Sequence, residues 1–125
     1  MDLFRDANHV SGLVNNKILH IEITSITIDI FNYKEIFGGI ERILHNRQAD
    51  YLIIDMKNTT TLSSSGMGYL ITMHSSLKGN MYLYNVDSEV LKQFRYTCLD
   101  SYLNVSKSLE NVLSTINGGR SARPE

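Results

Sequence analysis

Three adjacent hydroxyls, Ser63, Ser64 and Ser65, run directly into Gly66-Met67-Gly68 within the stretch TLSSSGMGYL. Serines so placed have four candidate chemistries: capping a helix, cradling a phosphate, attacking a carbonyl, or accepting a phosphoryl group. A P-loop ends in Gly-Lys-Ser/Thr because its lysine neutralises the outer phosphates; here the nearest downstream lysine is Lys78. A nucleophile elbow carries glycines two residues to either side of its serine and needs a histidine to take the proton. None of the three serines has that spacing, and His9, His20, His45 and His74 are scattered along the chain. His74 falls on the inner stripe of an expected helix and reads as a structural residue. No His or Cys pair has metal-ligand spacing, so neither metal nor other cofactor is expected. A cap stabilises by about 1 kcal/mol and accounts for one serine. It leaves unexplained two further serines and two glycines where better helix formers would serve stability. What remains is an exposed, modifiable hydroxyl at a helix start.

The rest of the chain must position that junction. A length of 125 residues suits one domain with one core. Twelve Lys plus Arg against 13 Asp plus Glu give a formal net charge of -1, which offers no electrostatic footprint for nucleic acid or an anionic membrane. No apolar run approaches the roughly 20 residues of a membrane span, and MDLFRDANHV lacks the basic-then-apolar pattern of a signal peptide. The single cysteine, Cys98, cannot form an internal disulfide. The expectation is a cytoplasmic protein without membrane insertion.

Residues 9–14 (HVSGLV) and 18–23 (ILHIEI) read as strands joined by an Asn-Asn-Lys turn. Ile26, Ile28 and Ile30 continue the alternation, so the second strand is expected to run on or end in a bulge. From Tyr33 to His45 the period changes: Ile36, Phe37, Ile40, Ile43 and Leu44 make one helical stripe, with Asn32 as N-cap. Residues 51–56 (YLIIDM) read as a continuous buried strand. Met67, Leu70, Ile71, His74 and Leu77 form a second helical stripe, stopped by Gly79-Asn80. Residues 81–86 (MYLYNV) are another strand. Asp87 or Ser88 then caps a helix with Val90, Leu91, Phe94 and Cys98 inward. A short extended piece at 102–105 precedes a last helix, Ser106 to Ile116. The tail 117–125 has no periodicity and reads as disordered. The alternation implies an α/β sandwich: a mixed, mostly parallel sheet of four to five strands with an opening hairpin, covered by about four helices.

With these elements in place, YLIIDMKNTTTLSSSGMGYL resembles the signature of STAS domains, typified by bacterial anti-sigma factor antagonists. Their pattern is a buried strand ending in Asp-Leu, a loop of about six residues, then Asp-Ser-Ser-Gly-x-Gly opening a helix. Asp55-Met56 matches the strand end and Ser63 to Gly68 the helix start, while MYLYNVDSEVLKQF looks like the later strand and its helix. The resemblance covers 9–116. It implies a binding module rather than an enzyme, whose partner is a histidine-kinase-like ATPase acting as serine kinase and anti-sigma factor. That kinase phosphorylates the second serine of the motif and a phosphatase restores it. By this correspondence the modified residue is Ser65, with Ser64 and Ser63 as alternatives. Ser63, Ser64, Ser65, Gly66, Met67, Gly68 and Tyr69 are the implied partner-binding residues, Met73 is expected on or beside the same face, with the core as the alternative place for Met67 and Met73 at their helical spacing, and Asp55 is the expected loop organiser. Ser63 stands where the family usually has Asp. The alternative function is a constitutive STAS scaffold in a stress-signalling or transport complex, without phosphorylation.

Overall fold

The computed structural model describes the backbone of residues 2–6, 10–15 and 17–121 and the side chains of residues 17–118. In chain order the elements begin with β1 (Asp2–Asp6), β2 (Val10–Asn15), β3 (Ile18–Ile23), β4 (Thr27–Ile28), α1 (Tyr33–Arg47), β5 (Tyr51–Asp55) and β6 (Thr61–Leu62). They continue with α2 (Ser64–Ser76), β7 (Met81–Tyr84), α3 (Ser88–Tyr96), the four-residue α4 (Leu99–Tyr102), β8 (Val105–Ser106) and α5 (Leu109–Ser121). The main sheet has six strands in the order β1-β2-β3-β5-β7-β8. Its first three strands are an antiparallel meander, and β3, β5, β7 and β8 run parallel. A separate two-stranded parallel ribbon joins β4 to β6.

The central strand explains the layering. Leu52 and Ile54 point to one face of the sheet and Ile53 and Asp55 to the other, as period 2 requires. On the first face Leu19, Ile21, Leu52, Ile54, Met81 and Leu83 pack with Ile36, Phe37 and Ile40 of α1, Leu70 and Met73 of α2, and Val90 and Phe94 of α3. The second face has a smaller cluster in which Val112 and Ile116 of α5 cover Ile53 and Tyr84. Burial on both faces is why YLIID is a continuous apolar run rather than an alternating one.

The α/β class, the opening hairpin and the parallel core match the sequence expectation, and several boundaries differ. A sixth strand, β1, lies ahead of residue 9 and pairs along the whole of β2. His9 and Asn16 of the expected strand and turn lie outside the described residues. The alternation through Ile30 does not extend β3: Ile26 and Ile30 are both 65% exposed. Here Asp29 Oδ1 accepts the amides of Phe31 (2.8 Å) and Asn32 (3.0 Å), which turns the chain instead. Asn32 occupies the N-cap position of α1 but makes no side-chain cap; its amide is used on Asp29 N and Thr27 O.

Cys98 is exposed rather than inward, because α3 stops at Tyr96 and Cys98 takes a φ of 60°. Of the piece expected to be extended at 102–105, Tyr102 closes α4 and Val105 opens β8. The last helix starts later and runs further than expected. Ser108 Oγ accepts the Asn111 amide at 3.2 Å, setting the start after Ser108, and the backbone stays helical through Ser121. Residues 122–125 lie outside the described residues.

Candidate functional site

The serine junction is reached through a loop pinned at nearly every step. β5 ends at Asp55, whose buried carboxylate accepts the Lys57 backbone N–H at 3.0 Å and the Asn85 side-chain amide at 3.1 Å. The Lys57 ammonium lies 3.9 Å from the other carboxylate oxygen and 3.9 Å from Glu22. Buried Thr59 donates its hydroxyl to Ser25 O at 2.8 Å, and the Thr60 amide bonds Ile26 O at 2.8 Å. β6 then pairs with β4, and the Ser63 amide bonds Ile28 O at 2.8 Å. On the other side the Gln93 side chain of α3 donates to Leu62 O at 3.0 Å. The chain therefore enters α2 from a fixed position and direction.

Ser63 is the N-cap of α2, with φ -75° and ψ 162°, and its Oγ accepts the Gly66 amide at 3.1 Å. That satisfies one of the first-turn donors that every helix leaves free. Ser64 is exposed and Ser65 half-exposed in the first turn, which contains no acidic residue. Gly66 is buried, and a Cβ there would sit 2.7 Å from Leu62 Cδ1 and 3.1 Å from Ile28 Cγ2. Its bareness is thus required inside the chain, by packing of α2 on the β4–β6 ribbon. Gly68 is exposed, with nothing within 4 Å of a Cβ placed there.

Further along α2 the side chains divide between surface and core. Met67 is half-buried against the main cluster, whereas Met73 is 1% exposed and belongs to the core, not to an outer face. Tyr69 is half-buried: its ring lies 5.5 Å from Phe37 and 6.1 Å from Tyr33, and its hydroxyl donates to Glu41 at 2.5 Å. Bonding to the Glu41 carboxylate, helped by burial, pushes this phenol up to about 12. The residue ties α2 to α1. His74 is buried, packs its ring against that of Tyr102 with centroids 4.7 Å apart and planes tilted by 53°, and is held neutral by burial, which lowers its pKa. At 1.5 Å rise per residue it sits about 13 Å along the helix from Ser65, out of reach as a base. His20 bonds the Tyr84 hydroxyl at 2.7 Å on the second sheet face. The described residues hold no group of three His, Cys, Asp or Glu able to bind a metal, and no helix among them is long and apolar enough to cross a membrane.

One feature of the surface escaped the sequence reading. Phe31 is 92% exposed, beside exposed Ile30, and with Ile26 these residues flank β4, the strand that carries Ile28 against Gly66. Exposed large apolar groups next to the serine turn form a patch of the kind found at protein contacts. The signal that would have found it is Asp29-x-x-Asn32, whose side chains favour a turn over a strand and leave Phe31 at its tip.

Solved structures of similar fold include anti-sigma factor antagonists. An anti-sigma factor antagonist from Mycobacterium paratuberculosis superposes with a TM-score of 0.73 at 14% identity, covering 91% of this chain and 99% of that one. The anti-sigma factor antagonist SpoIIAA in its unphosphorylated form gives 0.69 at 18% identity, covering 85% and 93%. The Bacillus cell-fate determinant SpoIIAA in its phosphorylated form gives 0.61 at 17% identity, covering 83% and 95%. Among curated protein sequences none matches. The family model described as STAS domain matches residues 12–112, from within β2 to the middle of α5, and the chain belongs to the STAS-domain family.

Proposed function

We propose that this chain is a partner-switching regulator resembling an anti-sigma factor antagonist: it binds a protein partner through the start of α2 and lets go when Ser65 is phosphorylated. The observation that carries this reading is the division of labour among the serines. Ser63 does the capping, so the half-exposed Ser65 hydroxyl, two residues on, is not needed by the helix. Phosphate there adds about 1.5 to 2 negative charges at neutral pH. The first turn has no carboxylate to repel it, and the free amides and positive end of the helix dipole favour it. The domain therefore keeps its fold, and the cost falls on the complex. A desolvated phosphate in an interface costs a few kcal/mol, which is a hundredfold or more in affinity. The occurrence of phosphorylated and unphosphorylated SpoIIAA in the same fold supports this reading.

The docking face comprises Ser64, Ser65, Met67, Gly68 and the outer edge of Tyr69, extended by Phe31 and Ile30, with Ser63 and Gly66 shaping it from beneath. Asp55 organises the loop that presents it. The partner is a serine kinase of the histidine-kinase-like ATPase type, with a phosphatase to reset the switch. The chain itself is a cytoplasmic binding module, not an enzyme, and needs no cofactor.

The test is incubation with such a kinase and ATP, followed by peptide mapping and calorimetric binding. One phosphoryl group on Ser65 is expected, with Ser65→Ala binding as wild type and Ser65→Glu binding more weakly. Phosphate confined to Ser63 or Ser64 would move the switch residue. Absence of modification, together with undiminished binding by Ser65→Glu, would leave the constitutive scaffold as the function.

A further inference from the structure

A cavity of about 360 Å³ opens at the C-terminal ends of the parallel strands β7 and β8, within the size range of small-molecule sites. In parallel sheets this is the edge from which the connecting loops build ligand crevices. Asn85 and Val86 leave β7 on one side, and Val105, Ser106 and Lys107 form the other. Leu91 and Arg95 of α3 and Asp100 of α4 complete the wall.

Two features separate this cavity from an incidental surface dent. Three ionisable side chains line it, Arg95, Lys107 and Asp100, and none makes a hydrogen bond or ion pair among the described residues. Beside these charges lie three half-buried aliphatic side chains, Val86, Leu91 and Val105. Asn85 sits there at a φ of 56° and uses its amide N–H on Asp55.

From this arrangement we infer that the cavity is a binding site for a small hydroxylated organic monoanion of the 2-hydroxy-carboxylate class. Two cations against one carboxylate leave the lining with one positive charge to neutralise. The ligand carboxylate lies between Arg95 and Lys107, its hydroxyl donates to the Asp100 carboxylate, and an aliphatic body rests on Val86, Leu91 and Val105. A ligand without the donor leaves Asp100 facing an anion unpaired, so the hydroxyl is a specificity element. The site is separate from the serine turn and does not depend on phosphorylation there.

The probe is 2-hydroxyisocaproate, titrated into the full chain labelled with ¹⁵N and followed by amide chemical shifts. Saturable shifts are expected at Asn85, Val86, Ser106 and Lys107. The analogue 4-methylpentanoate, lacking the hydroxyl, should bind more weakly, and Asp100→Asn should shrink that difference. Arg95→Ala should weaken binding about tenfold or more, as loss of a charged partner does. Arg95 is exposed, so the variant keeps the fold, which its unshifted amides elsewhere would verify. Absence of saturable shifts, equal binding by an Arg95→Ala, Lys107→Ala double variant, or identical shifts from inorganic phosphate would each overturn the assignment.

Discussion

Replacing Gly66 by alanine tests whether the start of α2 is seated as described. Two opposed effects set the magnitude. Alanine in place of glycine favours a helix by up to about 1 kcal/mol. Against this, the new methyl would lie 2.7 Å from Leu62 Cδ1, 3.1 Å from Ile28 Cγ2 and 3.5 Å from Ser63 Oγ. Leu62 is 2% exposed and Ile28 fully buried, so neither side chain has an open space to swing into. Ile28 is also β-branched and stiff at χ1. Overpacking of this kind costs about 1 to 3 kcal/mol, so the clash wins and Gly66→Ala should be destabilised by about 1 kcal/mol net. Gly68→Ala is the internal control. It offers the same propensity gain with nothing within 4 Å, and should be stabilised by up to about 1 kcal/mol. In urea, with a slope near 2 kcal/mol per molar, the two midpoints should move about 0.5 M in opposite directions. If both variants shifted upward together, α2 would not rest on Leu62 and Ile28 through a bare backbone. The control carries a second readout. If Gly68 admits the partner, Gly68→Ala gains stability and loses affinity, a combination that damage to the fold cannot produce.

Ser63→Ala should lose about 1 kcal/mol in the same melts through loss of the cap, whereas Ser63→Asp should stay near wild type because Asp caps as well as Ser; equal stability of Ser63→Ala and wild type would show that Oγ does not hold the Gly66 amide. His74 is kept neutral by burial, so its folded pKa lies below the unfolded 6.5. Below about pH 6.5 the unfolded chain binds the extra proton, and stability should fall with pH until the folded pKa is passed, while this contribution stays flat above it. His74→Phe removes the titration and also the buried Nδ1 that has no hydrogen-bond partner among the described residues. Its denaturation midpoint should therefore fall less than wild type between pH 7.5 and pH 5, as ordinary urea melts at the two pH values would report.

The legible parts of this fold were those that periodicity encodes. The stripe of α1 and the doubly buried β5 repeat at 3.6 or run unbroken, because each packs on the main core, whereas in α2 Leu70 lies inward as expected but Met73 takes the core place read for Ile71. Misreadings arose where local side-chain chemistry overrides a period. Residues 26–30 alternate like a strand, yet Asp29 and Asn32 satisfy the backbone locally and end it. Cys98 follows Phe94 at helical spacing, yet the Thr97 hydroxyl takes the carbonyls of Gln93 and Phe94 at the end of α3, and the next residue turns left-handed. The serine turn shows the limit most sharply. Three equivalent hydroxyls in a row give no local reason to prefer one as cap, and the choice is made from far away. Ile28, on a two-residue strand, accepts the Ser63 amide and holds that residue outside the helix. Only Ser63 then faces the Gly66 amide, and Ser64 and Ser65 are left to the first turn. It follows that the position where the family usually has Asp is the one position where Ser does the same physical job, since either side chain supplies an oxygen to the N3 amide. The departure leaves the helix start intact and leaves Ser65 uncommitted, held in place by a β-ribbon contact rather than by the residues beside it.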